Sequence, residues 1–405
     1  MSRSKINYNT VQDNIMAAPG LIELIQNGNL HRRVKDSVYD ENLAKSYQEL
    51  VEKTGLTSTD DIKFDPSKHL KYYSEDPIDK HSFHNTRRLT MEELGLSNKN
   101  QISPIGVSDP FPLFTDEAVN IMKQEILKKE IFSKYARHCY NSTTGLDCNL
   151  RGYVKNGSEI STPFIYQAWT HPKTTELVST MAGVELEVIM DYEIAHVNIG
   201  IKDPKVAEEE KLRNSDVASK SVGDSEEIPA IVGWHYDSYP FVCVLMLSDT
   251  SEMIGGETSL RMGDRGKVAI VPGPQSGSAA VLQGRLIEHI APSPMGMTER
   301  ITMVTSYRAK DPLVREDSVL STVKPEINYG SRYNDFYPQW IQYRVDIMKK
   351  RLDYLNNNCK DDKGTFNKEF ATSYLKEIEA FLRKTYEEMA VSSEEWQRSS
   401  KDTDF

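Results

Sequence analysis

The apolar pattern of this chain changes period near residue 185. Upstream, apolar residues recur every three or four positions. From Leu186 to Gly200, in LEVIMDYEIAHVNIG, Tyr192, Ile194, His196 and Asn198 alternate with Glu193, Ala195, Val197 and Ile199. Successive side chains of a strand point to opposite faces, so such a stretch carries two distinct surfaces. Further β-rich apolar runs lie at 239–248, 267–271, 278–283 and 301–307, punctuated by GG at 255–256, GDRG at 263–266 and PGP at 272–274. Short strands with turn signals at this spacing predict a mainly β core, an antiparallel barrel or sandwich of jelly-roll type.

The flanks read as α extensions. Residues 1–100 are mixed and polar, with short helical patterns such as Leu21 to Leu30, and Thr90 stands three residues before Glu93 as in a capping box. This region is expected to be a helical arm packed on the core. In 109–127 a Pro-stiffened segment precedes a helix capped by Thr115, with Ala118, Met122, Ile126 and Leu127 as its apolar stripe. The core is taken as residues 101–330. It contains an acidic loop at 203–228 with eight acids and four bases, expected to be mobile and solvated; its place before the strand of His235 raises a lid role beside a plain surface-loop reading. In the extension at 331–405 the helical period returns in Ile341, Val345, Met348, Leu352 and Leu355, and again in Ala371, Leu375, Ile378, Leu382, Thr385 and Met389. These two helices are expected to pack on the core, with a dimer contact as the alternative. The final residues are expected to be disordered.

Composition narrows the functional classes. The 405-residue chain is 38% hydrophobic and 27% charged, which suits a globular protein with a sizeable core. A net charge of −11 argues against a general nucleic-acid binder and against an anionic membrane surface. The four cysteines, Cys139, Cys148, Cys243 and Cys359, form no CxxC pair and suggest free thiols in a reducing compartment. No apolar run has signal-peptide or membrane-spanning length, so the cytoplasm is the expected location.

The chemistry concentrates on three residues. His235 stands two positions before Asp237 in GWHYDSYPF, so an extended chain would aim an imidazole and a carboxylate the same way. His289 follows the β-rich run AAVLQGRLIEH and could add a third ligand from a neighbouring strand. Two histidines and one carboxylate on one face leave octahedral positions open, as in mononuclear non-haem iron(II) oxygenases. Zinc hydrolases more often show HExxH or three histidines. Arg300 and Thr302, in ERITMVTSYR, would face one side of the next strand. There a guanidinium fork and a hydroxyl can hold the distal carboxylate of 2-oxoglutarate. The bland reading of Arg300 is an ion pair with Glu299 or another acid.

Other residues are weaker candidates. Tyr192 and Asn198 would line the same cavity and hydrogen-bond the co-substrate, or else be satisfied strand residues. Arg285, four positions before His289, would share its face and bind a substrate carboxylate, or form an ion pair. His196 is a core or pocket histidine, Trp234 and Tyr236 pack away from the metal, and the basic run HNTRRLT at 84–90 is a solvated loop or a cover for an anionic substrate.

His235-x-Asp237, His289 and Arg300-x-Thr302 together resemble the core motif of the Fe(II)/2-oxoglutarate-dependent dioxygenase superfamily. GGET at 255–258 is similar to the GGxT turn of its prolyl-hydroxylase-like members. The stretches SDPFPLFTDEAV, GWHYDSYPFVCVLMLSD and GGETSLRMG resemble a fungal-type branch, and the likeness spans about residues 85–350. Many members carry Ser where this chain has Thr302, which keeps the hydroxyl. The resemblance implies a double-stranded β-helix (a cupin-like jelly roll), Fe(2+) as cofactor, 2-oxoglutarate and O2 as co-substrates, and decarboxylation to succinate coupled to C–H hydroxylation, desaturation or cyclisation. It assigns the metal to His235, Asp237 and His289, and 2-oxoglutarate to Arg300 and Thr302. The primary substrate is expected to be a small molecule such as an amino acid or secondary metabolite. A protein or peptide side chain is the alternative, and a non-catalytic cupin-like binding module is the rival.

Overall fold

The computed structural model describes residues 33–138, 145–214 and 230–392, apart from 265, 293, 329 and 362. The expected helix at Leu21 to Leu30, the remainder of the acidic loop beyond 214, and the tail beyond 392 lie outside these residues. The chain divides into two compact units, Arg32–Ser318 and one containing Val319–Phe405.

The first unit is built on two antiparallel sheets. Its principal strands are β1 (Arg88–Thr90), β2 (Ile105–Ser108), β3 (Gly145–Leu150), β4 (His196–Lys202), β5 (Ala230–His235), β6 (Phe241–Met246), β7 (Thr258–Arg261), β8 (Val268–Val271), β9 (Ser278–Leu282), β10 (His289–Pro292) and β11 (Glu299–Ala309). The larger sheet runs β1-β2-β9-β6-β11-β4-β3, with short strands at its margins, and the smaller runs β5-β10-β7-β8. From β4 onward the chain steps between the two sheets, returning three times to the larger and twice to the smaller.

The period-two pattern decides which side chain goes where. On β4, β6, β9 and β11 the odd-numbered residues Val197, Ile199, Cys243, Leu245, Ala279, Val281, Ile301 and Met303 enter one buried cluster with residues of the flanking helices. The even-numbered Val242 and Leu282 join Leu260 and Val271 of the smaller sheet in a second cluster, with Val244, Ala280 and Val304 packed against it. One layer of strands therefore has a dry helical side and a side facing the other sheet. The helix Asp116–Leu127 forms as expected: Thr115 Oγ1 accepts from the Ala118 N–H at 3.4 Å, and Ala118, Met122, Ile126 and Leu127 are buried. Its Glu125 is also buried. Its carboxylate accepts from the Phe164 and Ile165 N–H groups at the start of helix Pro163–Thr170, although burial pushes its pKa up to about 7.

Three local expectations need correction. Thr90 and Glu93 make the reciprocal capping-box bonds (Thr90 N–H to Glu93 Oε2 2.7 Å, Glu93 N–H to Thr90 Oγ1 3.1 Å), but residues 91–95 form turns rather than a helix. The alternation assigned to Leu186–Gly200 is interrupted: Leu186–Val188 is a short strand, and the extended chain resumes only at His196. Asp191–Glu193 is a 3-10 turn and Ala195 has φ 57°, which breaks the extended chain. Residues Pro204–Asn214, expected to be loop, form a helix tied down by Glu210, which accepts from Lys202 Nζ (2.9 Å) and the Gly296 N–H (2.9 Å).

In the second unit, helices Tyr333–Asn358 and Lys368–Glu387 bury Trp340, Tyr343, Arg344, Ile347 and Leu355 on the first and Ala371, Ile378 and Phe381 on the second. Ile341, Leu352, Leu375 and Leu382, expected in the buried stripes, are exposed instead. The contact runs through a neighbouring stripe because Arg344 is buried there: its guanidinium lies over the Phe381 ring and donates to Phe381 O (3.0 Å) and Thr385 Oγ1 (2.9 Å).

Gly152 and Gly157 provide a test of packing. Both have positive φ, 57° and 60°, but a Cβ on Gly152 would lie 2.1 Å from the Tyr192 ring while one on Gly157 meets open space. Gly157→Ala should cost about 1 kcal/mol, the left-handed backbone alone. Gly152→Ala should cost roughly 3 kcal/mol or more because it also overpacks a buried ring. Chemical denaturation of the two variants checks the difference, and equal losses would refute the role of the Tyr192 contact.

Candidate metal centre

His235 and His289 face each other directly across the ladder joining β5 to β10. Their ring centroids are 4.4 Å apart. The register of that ladder shifts between Ala230 and Val232 and again between Val232 and His235. Such irregularities re-aim side chains at strand ends. Asp237 lies two residues beyond the end of β5, and its N–H donates to Gly284 O at 2.9 Å. The three side chains thus converge from one ladder and one turn.

Their atoms are arranged as ligands. His235 Nδ1 donates to Gly233 O (2.8 Å) and His289 Nδ1 to Ile287 O (2.9 Å), each a backbone carbonyl two residues upstream. These bonds fix both tautomers and leave each Nε2 with a free lone pair. His235 Nε2 is 3.6 Å from Asp237 Oδ1, and His289 Nε2 is 3.6 Å from Asp237 Oδ2. Both separations are too long for hydrogen bonds. Two atoms each about 2.1 Å from one ion can be up to about 4.2 Å apart, so one ion can bridge both. All three ligand atoms lie within 4.8 Å of one another, and this is the one such group among the described residues. Asp237 Oδ2 is buried with no hydrogen-bond partner there. Burial disfavours charge on both His235 and Asp237. Their mutual attraction, with that of His289, overrides it, holding the His235 imidazole above its usual range and the Asp237 carboxyl below. A carboxylate and two imidazoles with shared open space fit a divalent metal.

Between the two sheets lies a cavity of about 240 Å³ that reaches this group. His196, Asn198, Arg300, Thr302 and Val304 line it from β4 and β11. In the ladder Asn198 pairs with Thr302 and His196 with Val304. The walls are otherwise mostly Val, Leu, Ala and Pro. Arg300 points into this apolar space with no ion-pair partner among the described residues, and its Nε is buried without a hydrogen bond there. Burial pulls its pKa down to about 10. The ion pair with Glu299 is not formed, since Glu299 binds Lys123 Nζ (2.6 Å) and the Ser248 hydroxyl (2.9 Å).

Other candidates lie elsewhere. Tyr192, fully buried beside Gly152, is not among the cavity residues, because the 3-10 turn removes it from the strand face. Arg285 is not among them either. Residues 284–286 form a turn, so the regular strand that would align Arg285 with His289 is absent; its Nε is buried without a partner among the described residues. Trp234 stacks under Arg261, 4.6 Å from guanidinium to ring, whereas Tyr236 is 46% exposed rather than packed. In the basic run at 84–90, Arg87 is held by Asp109 at 2.9 and 3.0 Å. Gly256 and Thr258 of GGET line the cavity, and both Gly255 and Gly256 have positive φ, 69° and 80°. Cys148 and Cys243 are buried, Cys243 as a free thiol; Cys139 is outside the described residues. One contributor carried no sequence signal: Gly284, read as part of a strand, is the surface on which Asp237 rests.

No protein-family model and no curated protein matches the chain. Solved structures that it resembles include an oxidoreductase of the 2OG-Fe(II) oxygenase family from Burkholderia pseudomallei, at 16% identity over 40% of this chain and 65% of that one, with a TM-score of 0.27. A prolyl-4-hydroxylase from Pseudomonas putida gives 13% identity over 51% and 93%, TM-score 0.30. The non-heme alpha ketoglutarate dependent carbocyclase SnoK from nogalamycin biosynthesis gives 14% over 57% and 87%, TM-score 0.33. The chain spans just under two thirds of the length of the first of these.

A Cβ on Gly284 would lie 1.8 Å from Asp237 Oδ2. Its φ is not in the left-handed region, so Ala is acceptable to the backbone there. Gly284→Ala should therefore displace the carboxylate and weaken binding of a divalent metal on the order of 100-fold, the scale of losing a ligand's support. Calorimetric titration with Ni(II), alongside circular dichroism of the fold, checks this; unchanged affinity would show that Asp237 is not a ligand.

Proposed function

We propose that this chain is a mononuclear non-haem iron(II) oxygenase of the 2-oxoglutarate-dependent superfamily, built on a double-stranded β-helix core and acting on a small molecule. The observation that carries the reading is Arg300: a partly buried cation with no counter-ion among the described residues and a buried, unbonded Nε, in the same cavity as a two-histidine, one-carboxylate group. A desolvated guanidinium is costly, and a bound carboxylate repays that cost through a bidentate pair. A hydrolytic metal site, or a barrel that only binds metal, has no need of such an anchor.

In this reading His235, Asp237 and His289 hold iron(II), which when bound supplies dioxygen activation coupled to oxidative decarboxylation of 2-oxoglutarate. Arg300 and Thr302 hold the distal carboxylate, and Asn198, beside Thr302 in the ladder, orients the same molecule. The apolar walls exclude water from the space between, which strengthens each polar contact made there. The sheet order and the passage of the chain between the sheets support the double-stranded β-helix assignment.

The test pairs catalysis with stability. Purified protein should form succinate from 2-oxoglutarate only with iron(II). Arg300→Gln should raise the KM for 2-oxoglutarate on the order of 100-fold, as expected for losing a charge-assisted pair. The same substitution should leave the melting temperature of the ligand-free protein unchanged or higher, because it removes an unpaired buried charge. Large destabilisation with unchanged KM would make Arg300 a structural residue and refute the reading.

A further inference from the structure

The cavity also constrains the second substrate, and this inference rests on the reading just proposed. Asp237 and Arg300 are its charged lining residues. A divalent metal at the triad and a dicarboxylate at Arg300 cancel these charges completely. What is left is apolar wall from β6, β8 and β9, the Thr258 side chain of β7, and His196, which has an unmet hydrogen bond among the described residues. Its ring lines the cavity on β4 opposite Val304, and its Nε2 is buried with no partner among the described residues. Burial, reinforced by the charge of Arg151, keeps this imidazole neutral. A second charged group placed here would lose its hydration with nothing to offset the cost. A neutral imidazole, by contrast, suits a hydroxyl, carbonyl or amide, to which it can donate or accept.

We infer that the part of the primary substrate that enters the cavity is uncharged and mostly apolar, and that His196 holds its one hydrogen-bonding group. Asn198 and Thr302, nearer to Arg300 in the ladder, are left to the co-substrate. His196 is thus a specificity-determining residue for the substrate, separate from the 2-oxoglutarate contacts.

Three cyclohexyl probes test this: cyclohexanol, cyclohexanecarboxylate and cyclohexylamine. The full chain is loaded with Ni(II) and N-oxalylglycine, which form an inert mimic of the metal and co-substrate, and probe affinity is measured by calorimetry or ligand-observed NMR. Cyclohexanol should bind at least tenfold more tightly than either charged probe. His196→Leu should weaken cyclohexanol at least tenfold while N-oxalylglycine affinity stays within threefold, and His196→Asn should restore part of the loss. A charged probe that binds as well as the alcohol, or better, overturns the inference. Unchanged cyclohexanol affinity in His196→Leu, or no binding of any probe, also overturns it. Failure of N-oxalylglycine to bind the Ni(II)-loaded protein would instead overturn the 2-oxoglutarate reading beneath it.

Discussion

The site depends on the strict alternation of side chains along four strands of the larger sheet. On β4, β6, β9 and β11 the odd positions hold the helices and the even positions face the smaller sheet. Arg300, Thr302 and Val304 share a face because Ile301 and Met303 are locked into the opposite one. The apolar packing that stabilises the fold thus also fixes the direction of the guanidinium. A slip of one residue in β11 would send Arg300 into the helical core and Ile301 into the cavity. The energetic cost of such a slip secures the register, so no dedicated interaction is needed to aim the polar residues.

Electrostatics act in the opposite sense. Arg300 Nε, Asp237 Oδ2 and His196 Nε2 are all buried without hydrogen bonds among the described residues. A folded protein satisfies most of its buried polar atoms, and these three orphaned atoms belong to residues lining one cavity, where a ligand could satisfy them. The buried Arg151–Glu193 pair, with Tyr239 donating to Glu193 at 3.1 Å, shows the contrasting arrangement, in which charges are matched within the fold.

Much of this was legible in the sequence wherever one periodicity held without interruption. The apolar runs placed β6, β9 and β11, and the spacing of His235, Asp237, His289, Arg300 and Thr302 brought together residues that do share one cavity. The failures have a common physical origin, a local break in period. A 3-10 turn and a positive φ at Ala195 removed Tyr192 from the cavity face, and the turn at 284–286 did the same to Arg285. The register shifts before His235 are equally invisible, since an irregular strand reads like a regular one. The two C-terminal helices were legible as helices, but their contact stripe was not. The position of Arg344 decided it, and a buried arginine is the last residue that apolar periodicity would choose.

His235 and His289 are direct neighbours in the ladder yet lie far apart along the chain, with β6 to β9 made between them. The centre therefore has no precursor in a partly synthesised or partly folded chain: it comes into being only when β10 closes onto β5. If the group holds a metal as proposed, metal capture would report completed assembly of the smaller sheet and reinforce it. An ion present at a thousandfold excess over its dissociation constant adds about 4 kcal/mol to the folded state. In the proposed reading, a metal held there would act as a clasp that joins the ends of a long chain excursion at the β5–β10 seam.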